Sequence, residues 1–227
     1  MIKYETTKLF YDKYLYKLGI TNPLGFIFRN KNLSHARSII DKLHLNQESG
    51  EPIRYKLSAD SHRTPIDLTV EDVHDLKYLL TEFREEKDFV VRCEQRSVGI
   101  FSNNEEWLKR IGKKLDCVCD FYTPEDSTIN LLLDNKNILI KNKPFKFKYK
   151  VTLGQGSVDR NFYDWAKMNP DKVRVSPGLL KRIHETGYVS GKYLYLRDEK
   201  VFTLAMLFLS ANISRVDRIV LKQDVDK

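Results

Sequence analysis

The chain has 227 residues, with 39 lysines and arginines against 31 aspartates and glutamates, a formal net charge of +8. With 41% hydrophobic and 31% charged residues, it has the balance of a folded chain, not of a disordered, collagenous or membrane-embedded one. The longest apolar run, 201–213, falls short of the roughly 20 residues of a bilayer helix, and the N-terminus carries charges where a secretory signal has an apolar core.

Residues 14–20 (YLYKLGI) predict a strand, rich in aromatic and β-branched side chains and closed by Asn22-Pro23. Asn32 opens a helix to about residue 44, with Leu33, Ala36, Ile39, Ile40 and Leu43 at helical spacing. The polar stretch 46–65, with Gly50, Pro52 and Pro65, reads as a long loop or insertion. Thr69 and Asp72 have the spacing of a capping box for a helix to about residue 85. Strands follow at 89–93 and 98–101, turning near Gln95. A helix then starts around Asn104, burying Trp107, Leu108, Ile111 and Leu115, before a strand at 117–122. A helix at 125–133 and a strand-like 138–140 lead onward. Residues 145–153 (FKFKYKVTL) predict a strand by strict alternation, 162–168 a helix, 173–175 a strand and 178–185 a helix. A strand at 192–196, an apolar helix at 199–209 capped by Asp198, and a strand at 215–221 complete the chain.

Both halves read strand, helix, strand, strand, helix, strand, the order of a split β-α-β unit. The predicted fold class is α+β: two tandem ferredoxin-like units, 1–135 with a loop and helix insertion, and 136–227. A single mixed α/β domain is the alternative. Charge divides along the same line. Residues 1–135 hold 20 basic and 22 acidic side chains, and residues 136–227 hold 19 and 9. Such segregation points to a polyanion partner for the second unit.

Alternation assigns the faces of that unit. Phe145, Phe147, Tyr149, Val151 and Leu153 are expected on the buried side, with Lys146, Lys148 and Lys150 opposite. Leu194 and Leu196 inside turn Tyr193, Tyr195 and Arg197 outward; Val173 and Val175 inside leave Lys172 and Arg174 outside. Aromatic rings among cations on an open sheet suit single-stranded nucleic acid, with bases on the rings and phosphates on the cations. A solvated lysine-rich strand is the competing reading of the same pattern. The first unit, slightly acidic, reads as a scaffold or a surface for a protein partner.

Catalytic motifs are missing. Gly154-Gln155-Gly156 lacks the third glycine of a dinucleotide fingerprint and the Gly-Lys-Ser/Thr of a phosphate-binding loop. Cys117 and Cys119 have no Cys-x-x-Cys or histidine pair beside them, so no metal or cofactor is expected, and the cysteines are expected reduced in a cytoplasmic location. His62, next to Arg63, and His184 are the candidates for general acid–base work.

Three segments, KLFYDKYLYKL near the start, YKVTLG from Tyr149 and SRVDRIV from Ser214, resemble uncharacterised proteins of marine bacteriophages. That resemblance implies a viral protein in a bacterial cytoplasm and carries no activity or site residue with it. Tandem ferredoxin-like units with a basic face are also similar to the CRISPR repeat-cleaving ribonucleases, which implies a metal-independent ribonuclease. Those enzymes carry a glycine-rich loop near the C-terminus, whereas residues 213–227 contain no glycine. The expected function is non-enzymatic binding of single-stranded DNA or RNA in replication, recombination or transcription. The alternatives are that ribonuclease, or a phage protein that binds a host or virion protein.

Overall fold

A computed structural model describes residues 1–56, 64–185, 187–209 and 212–225. The chain divides into two compact α+β units, Met1–Glu125 and Asp126–Lys227, each on a five-stranded mixed sheet. Among the described residues no helix is long and apolar enough to cross a membrane.

The first unit runs β1 (Ile2–Glu5), β2 (Tyr16–Thr21), α1 (Leu33–Glu48), the two-residue strands β3 (Arg54–Tyr55) and β4 (Ile66–Asp67), α2 (Val70–Glu85), β5 (Phe89–Glu94), β6 (Ser97–Ser102), α3 (Glu105–Lys114) and β7 (Val118–Thr123). Each helix starts where the sequence supplies a side-chain acceptor for an orphan N–H. The Asn32 side chain accepts from the His35 N–H at 3.1 Å and the Asn104 side chain from the Trp107 N–H at 3.0 Å. At α2 the capping box closes both ways: Thr69 Oγ1 accepts from the Asp72 N–H, and the Asp72 carboxylate accepts from the Thr69 N–H. The sheet order is β1-β7-β2-β6-β5, with β1 parallel to β7 and the other pairs antiparallel. Leu18, Ile20, Val98, Ile100 and Phe121 meet Ile40, Leu76, Leu79, Leu108 and Ile111 from the helices in one core.

The second unit runs α4 (Asp126–Asp134), β8 (Ile138–Lys141), β9 (Tyr149–Leu153), α5 (Arg160–Met168), β10 (Val173–Arg174), α6 (Pro177–His184), β11 (Tyr193–Leu196), α7 (Glu199–Leu209) and β12 (Ile213–Leu221). Its sheet order is β10-β11-β9-β12-β8, with only β8 and β12 parallel. Val151, Leu153, Leu194 and Leu196 pack on Phe162, Leu179, Val201 and Ala205. The two sheets share one plan. The middle strand is the unit's second, and an additional first strand lies parallel to the last at the edge.

Some expectations are corrected. The stretch 46–65 is not one loop: α1 runs on to Glu48, and Arg54 and Tyr55 pair with Asp67 and Ile66. The strand β1 has no counterpart in the sequence reading. The predicted strand 145–153 is regular only from Tyr149, because the Lys148 N–H is shared between the carbonyls of Leu196 and Arg197 and breaks the alternation there. Tyr149 keeps its predicted side and stacks on Phe202 of α7, centroids 5.0 Å apart. Phe145 and Phe147 do not share that side. Their rings lie against Tyr195, at 5.0 and 6.3 Å.

Candidate nucleic-acid interface

Tyr193 and Tyr195 alternate with Leu194 and Leu196 along β11, whose leucines are fully buried under the helices. Both tyrosines therefore stand on the face the helices leave open, edge to face at 5.5 Å. The displaced Phe145 and Phe147 join them, so the face is more aromatic and less lysine-rich than alternation predicts. Phe147 is 3% exposed and Tyr193 49%, which makes the cluster a packed base with an exposed rim. Burial, with Tyr193 alongside, pushes the Tyr195 hydroxyl above its ordinary pKa, so it is a neutral hydrogen-bonding group at physiological pH.

Four cations stand over these rings. Lys150 lies 4.4 Å from the Tyr193 centroid, Lys146 5.1 Å from Phe147, and Lys141 and Arg174 5.7 and 5.9 Å from Phe145. All four are within the ~6 Å at which a ring quadrupole attracts a cation. Lys150 is in register with Tyr195 on one side and with Asp217 on the other. Asp217 is fully buried and ion-paired to Arg215. A cleft of about 480 Å³ opens beside the cluster, between Tyr193, Tyr195 and Arg174 and the start of α6 at Ser176 and Pro177, with Lys192 on its rim.

The predicted site residues thus separate. Lys146, Lys150, Arg174, Tyr193 and Tyr195 come together, and Lys148 is exposed on the irregular segment. Arg197 is held by Asp171 and Asp198, each at 3.0 Å, and the Lys172 ammonium donates to Asn169 Oδ1 at 2.9 Å; these two cations are engaged within the fold. Lys141, Phe145 and Phe147 were missed as members of the face. His184 ends α6 with its ring 4.7 Å from that of Tyr163, and His62 lies outside the described residues. Among the described residues no cluster of three His, Cys, Asp or Glu could hold a metal. Cys117 hydrogen-bonds Asp75, and burial first and that carboxylate second push its thiol up to about 12, so it is inert as a nucleophile.

Compared with known proteins, the chain matches no family model, no curated protein and no solved structure.

Proposed function

We propose that the protein is a non-enzymatic binder of single-stranded nucleic acid, built from two ferredoxin-like units, and that the open sheet face of the second unit is its main grip. The observation that carries this reading is the cluster of Phe145, Phe147, Tyr193 and Tyr195 with a cation over each of three of its rings. Rings and cations interleaved on one face answer the two parts of a nucleotide. A base stacked on an exposed ring contributes ~1–3 kcal/mol whatever its identity, while neighbouring cations neutralise phosphates and release counterions. The shared five-strand plan supports the tandem reading, with helices doubled in the first unit and α6 added in the second. The charge supports the choice of unit: residues 126–227 hold 19 basic and 11 acidic side chains, residues 1–125 hold 20 of each. The resemblance to bacteriophage proteins is the support for assigning this work to replication, recombination or transcription in an infected bacterium.

The test is fluorescence anisotropy with labelled single-stranded DNA, single-stranded RNA and duplex over a salt series. Single strands are expected to bind more tightly than duplex, with affinity falling as salt rises. Absence of binding to every nucleic acid at low salt would overturn the reading.

A further inference from the structure

The open face of the first unit repeats the arrangement of the second. Lys17 holds in β2 the place that Lys150 holds in β9, each in register with an aromatic residue on the next strand, Phe101 and Tyr195. In each unit a phenylalanine from the segment entering the middle strand packs on that ring, Phe10 on Phe101 at 5.2 Å and Phe145 on Tyr195 at 5.0 Å. Each lysine also stands over a tyrosine, but from opposite neighbouring strands, Lys17 over Tyr122 of β7 at 4.5 Å and Lys150 over Tyr193 of β11 at 4.4 Å.

Charge and shape differ between the two. Lys17 is paired with Asp120 at 3.3 Å and Arg92 with Glu94, so the cations of this face are already compensated and offer little to a run of phosphates. Between the two pairs lies a hollow of about 360 Å³, inside the ~300–1,000 Å³ range of small-ligand sites. Its floor is Gly99. A Cβ there would sit 3.0 Å from the Phe101 ring and 3.4 Å from Lys17 Cε, so any larger residue would fill the space. The rim has a donor in Arg92, an acceptor in Glu94 and a hydroxyl in Ser97. Tyr11 and Asp12, both in the left-handed region at φ 53° and 57°, form a strained turn that holds the Tyr11 ring 5.0 Å from Phe101, edge to face. Backbone of that kind collects at ligand clamps.

We infer that this hollow takes one unpaired nucleobase, stacked on the aromatic wall and hydrogen-bonded along its edge by Arg92, Glu94 and Ser97. The inference rests on the nucleic-acid reading and extends it: the chain has a salt-sensitive site in the second unit and a salt-insensitive one in the first. A base fits better than a phosphate run, because base edges present donors and acceptors together, the cations here are already paired, and two phenylalanines line the space.

The experiment titrates the full-length protein, followed by NMR of its aromatic ring signals, with uncharged nucleosides and separately with an oligothymidylate of about four nucleotides. Nucleosides are expected to shift the Tyr11 and Phe101 signals equally at low and high salt. Tyr11→Ala, at a side chain 50% exposed that packs on Phe101 and hydrogen-bonds Arg92, and Arg92→Ala are each expected to weaken that response about tenfold, the loss of one edge contact or of the side chain that holds it in place. Gly99→Ala, by filling the floor, is expected to abolish it. The salt-dependent binding of the oligothymidylate in the second unit stays unchanged in all three. If nucleosides leave the first-unit rings unmoved while the oligothymidylate still binds the second unit, or if Tyr11→Ala and Arg92→Ala respond like wild type, this inference is wrong and the wider reading stands. If the oligothymidylate moves no signal in either unit, both fall.

Discussion

Phe147 and Tyr193 touch the same cluster and have opposite jobs. At 3% exposure Phe147 is a packing residue, and Phe147→Ala is expected to cost about 3–5 kcal/mol of stability in urea denaturation. Tyr193, half exposed, costs little to remove from the fold. Tyr193→Ala is expected to weaken single-strand binding by ~1–3 kcal/mol with an unchanged salt slope, since stacking releases no counterions. Lys150→Ala should instead lower the slope by about 0.7, one phosphate contact on a single strand. An anisotropy series in which Tyr193→Ala changes the slope and Lys150→Ala does not would reverse these roles. A second residue-scale expectation concerns Glu82, buried on α2 in the first unit. Burial alone would raise its pKa, but hydrogen bonds from Arg110, Tyr78 and Trp107 outweigh it and hold the carboxyl below its ordinary value. A lowered folded-state pKa contributes stability above the unfolded-state value of ~4.3, and that stability is lost as pH falls through the folded-state value. Glu82→Gln should therefore flatten the acid side of a stability–pH curve measured by denaturant melts. An unchanged curve would show that the network carries no net proton linkage.

Among the elements, the helices announce themselves, and so do the short strands β8 and β10, but β1, β3 and β4 do not. The capping box at Thr69 and Asp72 is written in four consecutive residues, and the structure closes it as the spacing predicts. Thr69→Ala is expected to cost about 1 kcal/mol, read from a thermal or urea melt; a loss below a few tenths would mean that tertiary packing alone holds the start of α2. The strand β1 exists through pairing with β7, more than a hundred residues away, and its four residues carry no local signature. β3 and β4 are two residues each, paired with one another. A register break at Lys148 is likewise invisible to alternation, because the two carbonyls that share its N–H belong to β11 and the residue after it.

On the scale of the molecule, two separate cores give the chain its organisation. One gathers residues between Leu18 and Phe121, the other between Val151 and Leu209. Fragments 1–125 and 126–227 are therefore expected to fold independently, each with a cooperative melt by circular dichroism, and the salt-dependent part of nucleic-acid binding should follow 126–227. A fragment 1–125 that binds with the full salt slope would contradict the charge division. The mixed α+β character, the helix caps, the buried stripes and the basic second half were legible in the amino-acid sequence, because periodicity, capping and charge are local or additive properties. The two middle strands open alike, with Tyr16-Lys17 and Tyr149-Lys150. Which side Phe145 and Phe147 occupy, that Arg197 is tied to Asp171 and Asp198, and that Phe10 and Tyr11 converge on Phe101 were decided only in three dimensions. Each depends on hydrogen bonds or ring contacts with chain that is distant in sequence, or on a left-handed turn that residue type does not announce.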